Sequence, residues 1–468
     1  MFTVKQFDAA LAEALPPGSL FAVGGRVRDE LRQGIEGIEP AYKDLDYVVT
    51  GVSLGQLQER LSKLGRVDLV GSSFAVIKLT AGGATVDVAL PRRERSVGVG
   101  HREFEVESGP EIPLTDDLAR RDFRMNMIAR AIPAGDLVDP YGGEADIRAK
   151  QIDILTAQTF EEDPLRMLRA AQFAARFGYV PTRPTREAMS ASATLIETVS
   201  AERVAEELTK LLVLAPKPSV GLELLRETGL LARLWPELLE GVDVEQNEWH
   251  AYDVYRHTLA TVDATPPGDL ILRLAALFHD VGKPRVKDGP HFYRHEHVGE
   301  GLVRAMLDRF RFSREVVAAV AHLVRSHMYS AEPGLSDAAV RRFIRRIELQ
   351  HLERQFALRA ADVAGSGLPK RDDANERFQQ RVWDEVARKP AFSVRDLRVS
   401  GADVIAAMTA KGLAGVDFRG DARVGEALLW LFEKVTDQPD LNEPNTLRGL
   451  LDEYLAAGPA TEGPKSSS

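Results

Sequence analysis

The 468 residues are 44% hydrophobic and 28% charged, carry a formal net charge of −10 and contain no cysteine. That composition suits an ordinary soluble protein of about two to four domains. It excludes disulfides and thiolate metal sites, so any metal must sit on His, Asp or Glu, a set that suits magnesium, manganese or an imidazole-binding transition ion. The acidic balance excludes a uniformly basic coat for nucleic acid, although a local patch suffices for phosphate. The first 21 residues have no apolar signal core, and no apolar run reaches membrane-spanning length, so a cytoplasmic protein without a membrane partner is expected.

Residues 1–20 read as an amphipathic helix closed by Pro16-Pro17-Gly18. Residues 21–49, FAVGGRVRDELRQGIEGIEPAYKDLDYVV, read as strand, glycine turn, helix and strand. On a strand, side chains two apart share a face, so Asp44 and Asp46 are expected to share a cation. The glycine pair lets backbone lie against phosphate oxygens at a helix N-terminus, with Gly25 at the phosphates and Arg28 adding a charge-assisted contact. Singly, these signals match an ordinary turn or a solvated strand end. In this order they describe a triphosphate cradle beside a divalent ion.

A helix over 54–64 and strands over 66–70, 74–81 and 84–89 complete a mixed α/β region with a small sheet. Asp87 stands there either as a third carboxylate for the same cation or as a solvent-facing polar position. From 91 to 111 glycines and charges replace apolar periodicity, which predicts a mobile loop. Asp116 and Asp117 mark a helix start, and the helix is expected to run on through ARRDFRMNMIARAI. Arg120, Arg121, Asp122 and Asn126 then sit at the edge of a buried face. They need partners, either a bound ribose and triphosphate or one another.

DPYGG at 139–143 reads as a turn, and EEDPLRMLRAAQFAARFGY as a helix with Pro164 in its first turn and Gly178 past its end. Glu162, Asp163, Arg166 and Arg169 are expected three or four apart on one side. Held edge-on, Asp and Arg can hydrogen-bond the Watson–Crick edge of a base and choose a nucleotide without a template; common i,i+3 ion pairs are the alternative. Residues 180–245 continue as amphipathic helices.

Nine of the ten histidines follow residue 249, eight of them before 330. His250, His257, the His279-Asp280 pair, His291, His295, His297, His322, His327 and the later Asp362 bunch on predicted helices and together point to a metal-dependent phosphohydrolase site. Arg341, Arg342, Arg345, Arg346, Arg354 and Arg359 form either a phosphate-binding patch or an ion-paired helix face. Helices are expected over 364–455, and residues 457–468 are expected to be disordered.

GGRVRD, KDLDYVV, RRDFRMN, DPYGG and EDPLRMLRAAQFAARFGY together resemble the bacterial class II tRNA nucleotidyltransferase and poly(A) polymerase family, over about the first 240 residues. The resemblance implies an α+β fold, a small mixed-sheet head followed by an all-helical neck, body and tail. It implies magnesium on Asp44 and Asp46, triphosphate contacts from Gly25 and Arg28, and sugar and phosphate contacts around Arg120, Arg121, Asp122 and Asn126. It further implies base selection by Glu162, Asp163 and Arg166 with Arg169 beside them, and a reaction of CTP and ATP with the tRNA 3' end. Where the family's second motif reads RRDFTIN, this chain has Arg124 and Met125, neither of which carries an assigned contact. The region around 270–282 resembles an HD-type phosphohydrolase domain, with His257, His279, Asp280 and Asp362 as ligands of a divalent transition metal. The expected divisions are 1–150 head, 151–245 neck, 246–370 HD-type domain, 371–456 helical tail and 457–468 disordered end. The loop over 92–106 is full length and the C-terminus lacks a basic extension, which favours complete CCA addition over CC-only addition, A-only addition or polyadenylation. A phosphohydrolase with an RNA-binding head and a non-enzymatic RNA scaffold are the readings from other classes.

Overall fold

The structure, a computed structural model, describes residues 2–39, 45–70, 76–96, 104–332, 334–369 and 372–457. The head is built on strands β1 (Leu20–Val23), β2 (Asp46–Val49), β3 (Arg66–Val70), β4 (Val76–Ala81), β5 (Ala84–Ala89), β6 (Arg92–Ser96), β7 (Phe104–Ser108), β8 (Ala129–Ala131) and β9 (Leu137–Val138). Seven of them form one sheet in the order β3-β4-β5-β2-β1-β8-β9. Burial alternates along β4 and β5, with Ile77, Leu79, Val86 and Val88 inside, as a sheet with one packed face requires. The pairing is antiparallel throughout except between β2 and β5, which run parallel, so the sheet is mixed.

Two expectations fail here. The mobile loop predicted over 91–111 is instead a ribbon of β6 and β7, with Arg92 opposite Ser108 and Ser96 opposite Phe104. β6 is RRERS, with no apolar residue to mark a strand, which is why the sequence hides the pairing; residues 97–103 lie outside the described residues. The helix predicted to run on from 114 stops at Ala119, and a single 3₁₀ turn, Arg124–Asn126, precedes β8. Phe123, Met125 and Met127 are all fully buried, a density no one-sided helix provides.

The helix Leu165–Phe177 begins after Pro164 and ends at Gly178, whose φ of 71° is left-handed. It packs against the helices Ala201–Leu214 and Pro218–Glu227. These belong with the head to one compact unit made of Met1–Val244, Pro266–Leu274 and Ala305–Arg314.

The second unit comprises Glu245–Thr265, Ala275–Arg304 and Glu315–Ser468 and has no described strand. Within it the helix Val254–Asp263 packs on Leu352–Gly365. Val340, Ile344, Phe356, Phe378 and Val382 form one core, and Val404, Leu431, Val435, Leu447 and Leu451 another. The arginine-rich stretch is largely paired inside this unit: buried Arg341 donates to Glu385 at 2.7 Å, Arg345 to Glu433 at 2.6 Å, and Arg342 to Asp437. No helix among the described residues is long and apolar enough to cross a membrane.

Candidate functional sites

β1 leaves the sheet at Val23, and Gly24 turns the chain at a φ of 68°, where a side chain is strained. A Cβ at Gly24 would meet Arg121 Nη1 at 2.6 Å and lie 3.9 Å from Asp46 Oδ2. Glycine turn, arginine and acid therefore border one cleft of about 590 Å³. The sheet sets this up: β1 runs antiparallel to β2, with Ala22 opposite Tyr47, so the turn lands beside the first residue of β2. The parallel β5 puts Asp87 opposite Asp46, and Asp87 Oδ1 accepts from Lys78 Nζ at 3.2 Å. Asp44, the other expected ligand, lies outside the described residues.

From the turn a chain of hydrogen bonds runs through the cleft wall. Arg28 Nη1 donates to Asn126 Oδ1 at 2.9 Å, Asn126 Nδ2 donates to Asp122 Oδ1 at 2.7 Å, and Arg169 Nε donates to Asp122 Oδ2 at 2.8 Å. The Arg28 guanidinium rests 5.1 Å and 4.8 Å from the ring centres of Phe173 and Phe177, which fixes it from the other side. Burial alone would push the Asp122 carboxyl up, but Arg169 and Asn126 hold it below the usual range. Arg120 and Arg121 both donate to the fully buried Asp117, at 2.8 Å and 3.1 Å. The partners these groups need are thus partly one another, and the network they make faces the cleft. Among the described lining residues, nine are cationic and five acidic, an excess that suits a polyanion.

The expected single-sided row at 162–169 is corrected. Asp163 precedes a proline, which disfavours helical backbone, and it is extended at φ −142° and ψ 97°. Glu162 therefore ends a separate short helix, Thr159–Glu162. Arg166 donates to Glu162 at 2.9 Å and to the carbonyl of Arg120 at 2.6 Å, while Arg203 holds Asp163 at 3.0 Å. Arg169 turns away to Asp122. All but Glu162 border the cleft. Sequence reasoning missed Asp117 as an anchor, the Phe173/Phe177 floor and Arg203; only the four-residue spacing of the two phenylalanines offered a signal.

In the second unit, His257, His279, Asp280 and Asp362 come together, and His295 and His327 join them. His257 Nε2 lies 3.1 Å from Asp362 Oδ1 and 3.1 Å from His279 Nε2; His279 Nε2 lies 3.1 Å from Asp280 Oδ2. His279, His295 and His327 each point Nδ1 at the carbonyl three residues earlier, at 2.9, 2.8 and 2.7 Å. A carbonyl only accepts, so each Nδ1 carries hydrogen and each Nε2 is directed inward, the arrangement found in metal-ligating histidines. Burial alone would raise Asp280, yet His279 and Lys283 hold its carboxyl well below the usual range. Three sets of donor atoms here can hold a metal: His250, His257 and Asp362; His257, His279 and Asp280; and Asp280, His295 and His327. The donors fit a borderline transition ion. A cavity of about 470 Å³ opens beside them, bordered by Trp249, Phe292, Tyr293 and Lys283.

Residues 20–153 match the poly A polymerase head domain, 179–241 the probable RNA and SrmB-binding site of polymerase A, and 250–389 the HD domain. The multifunctional CCA protein of Verminephrobacter eiseniae is 33% identical over 430 residues, covering 88% of this chain and 99% of that protein. That of Nitrosococcus oceani is 36% identical over 316 residues, covering 66% and 74%. The Bacillus stearothermophilus CCA-adding enzyme in complex with CTP shares the fold with a TM-score of 0.63 at 22% identity, over 94% of this chain and 93% of that one. The Thermotoga maritima CCA-adding enzyme complexed with tRNA gives 0.55 at 19% identity, over 93% and 91%.

Proposed function

We propose a reaction for each unit, on the premise that the chain belongs to the family of multifunctional CCA proteins. The head is a template-independent nucleotidyltransferase that adds C, C and A to the tRNA 3' end from CTP and ATP. The observation that carries this is the single cleft bordered by the Gly24 turn, Asp46 and the chain Arg28–Asn126–Asp122–Arg169. Both domain types suggest divalent-metal dependence. In the head the ion is Mg²⁺, held by the hard oxygens of Asp46 and Asp44 with Asp87 adjacent, and when bound it supplies charge stabilisation and a more acidic attacking hydroxyl.

The chain's own residues do the rest. Backbone N–H groups at Gly25, with Arg28 and Arg121, hold the triphosphate in line; Arg120, Asp122 and Asn126 fix the sugar. The tRNA 3'-oxygen attacks the α-phosphorus, the bond from that phosphorus to the bridging oxygen breaks, and pyrophosphate leaves. Asp163 and Arg166, supported by Glu162, Arg169 and Arg203, offer fixed acceptor and donor edges to cytosine and adenine. The test is incorporation of CTP and ATP into tRNA ending at the discriminator base, at C and at CC, by an Asp44→Ala/Asp46→Ala variant. Unchanged incorporation rejects the assignment.

The second unit hydrolyses phosphate esters. The convergence of His257, His279, Asp280 and Asp362 on one point favours this reading, with a divalent transition ion that activates water when bound. Lys283, 2.7 Å from Asp280 Oδ2 and on the cavity wall, is placed to hold a phosphate oxygen. Metal-dependent phosphate release that survives His279→Ala rejects it.

A further inference from the structure

Residues 1–19 precede the segment that matches the head domain, yet one of them reaches the glycine turn. Asp8, on the helix Val4–Ala14, accepts from Arg26 through both oxygens, Nη1 to Oδ1 at 2.8 Å and Nη2 to Oδ2 at 2.6 Å. Arg26 Nη1 also donates to the Tyr47 hydroxyl at 2.9 Å, and that hydroxyl donates to Asp8 Oδ1 at 2.7 Å. Glu30 accepts from Arg26 Nε at 2.9 Å and from Arg130 Nε at 3.0 Å. Both Arg26 and Tyr47 are buried.

We propose that Asp8, Arg26 and Tyr47 are positioning residues for nucleotide addition, a buried clamp that fixes the spacing between the glycine turn and Asp46. The proposal deepens the nucleotidyltransferase reading of the head and rests on it. The case is one of chain adjacency: Arg26 follows Gly25, and Tyr47 follows Asp46. Neighbours on a strand face opposite sides, so Tyr47 turns from the face that carries Asp46 and can be tied from behind. On the cleft side the two halves approach closely, since a Cβ at Gly24 would lie 3.9 Å from Asp46 Oδ2. Behind them the bond from Arg26 to Tyr47 joins the halves, and Asp8 closes the ring. Burial alone would lower the Arg26 pKa, but Asp8, Tyr47 and Glu30 hold its guanidinium above the usual range. Burial also raises the Tyr47 phenol, which keeps the hydrogen it gives to Asp8. A bidentate arginine pair fixes direction as well as distance. A nucleotide gripped at its phosphates by the turn and through a metal by Asp46 needs both grips in register, and a misplacement of about 1 Å costs on the order of 10²-fold in rate.

The test is CTP binding to the full chain by titration calorimetry, in EDTA and in Mg²⁺, for the parent, Tyr47→Phe, Asp8→Asn and Asp46→Asn. Tyr47→Phe keeps the ring and removes the hydroxyl; Asp8→Asn keeps the size and removes the charge. In the parent Mg²⁺ should tighten CTP, because turn and acid then grip one ligand, and Asp46→Asn should abolish that gain. In both clamp variants the gain is expected to shrink by about threefold to tenfold, with the affinity in EDTA kept within about twofold. The double clamp variant should lose no more than Asp8→Asn, since both open the same ring, and losses that multiply overturn the clamp. A full Mg²⁺ gain in the clamp variants overturns it and leaves nucleotide addition standing. Equal weakening in EDTA and in Mg²⁺ also overturns it, as the mark of a structural role alone. No gain in the parent, or a gain kept by Asp46→Asn, sinks the head's metal reading together with the clamp. Should Asp8→Asn fail to fold by circular dichroism, Tyr47→Phe decides alone.

Discussion

The head cleft is lined by donors and the histidine pocket by acceptors. In the cleft Arg28, Arg120, Arg121, Arg166 and Arg169 each already donate to an oxygen of the protein, yet cations still outnumber acids on the wall. In the pocket, imidazole nitrogens face imidazole nitrogens at 3.1 Å around a buried carboxylate. The first arrangement is held together without a ligand and waits for an anion. The second gathers imidazole and carboxylate acceptor atoms around Asp280, which Lys283 pairs from one side at 2.7 Å, in sets that suit a metal ion. A paired network with cations in excess reads as a substrate site, and buried acceptor atoms that converge on one point read as a metal site.

The largest expected effect separates the two. Asp46→Ala removes the described carboxylate beside the Gly24 turn, so nucleotide incorporation into tRNA should fall by about 10³-fold, while phosphate release from a model diester stays at the parent rate. Loss of both activities would mean that the two regions are not separate in function. Asp280→Asn is the mirror image. It trades the central acceptor for a group that is half donor, and hydrolysis should drop by a comparable factor of about 10³ with incorporation preserved. Incorporation measured on the same preparation decides whether that loss is local.

Asp122→Asn comes next and sharpens the claim that the cleft network holds itself. Asp122 accepts from Asn126, Arg169 and the Phe123 N–H. Loss of its charge leaves Arg169 with only the more distant buried acid Glu207, at 3.9 Å, and because Arg169 is 35% exposed the stability cost is discounted to about 2 kcal/mol in urea unfolding. Incorporation should fall by about 10²-fold, since Arg28 loses its anchor through Asn126. Gly24→Ala is milder. It forces a side chain to a φ of 68° and against Arg121, so the KM for nucleotide should rise about tenfold with kcat reduced less. An unchanged KM would remove the turn from the triphosphate site.

These positions also show what the sequence could and could not disclose. The Gly24 turn, the helix after it and strands β3 and β5 are local patterns, and their residues are neighbours in the chain. The same holds for the His279-Asp280 pair and for the boundaries at Pro164 and Gly178. Asp122 and Arg169 are 47 residues apart, and nothing local says that they meet. β6, Arg92–Ser96, has no apolar residue, so the ribbon it makes with β7 shows no strand pattern on that side in the sequence. In the sequence His295 and His327 are only members of a crowd; their shared partner Asp280 emerges when the helices His295–Arg309 and Arg314–Ser326 fold. Asp163 has helical spacing to Arg166, and the proline after it overrides that spacing.

Asp163 supplies the smallest effect and the finest test of the comparison. Its Oδ2 accepts from Arg203 at 3.0 Å, across a pair in which the acid is 19% exposed and the arginine 35%. At that exposure the pair contributes little to stability, about 0.5 kcal/mol, so Arg203→Ala should fold normally. What it removes is direction: the carboxylate keeps its charge but is no longer held edge-on, and a base edge is read by direction. The variant should therefore add nucleotides at close to the parent rate while its preference between CTP and ATP at each step weakens by about threefold to tenfold, measured as the ratio of kcat/KM values. If the rate falls and the preference holds, Arg203 acts on the triphosphate, and the wall of the cleft that chooses the base must be sought elsewhere.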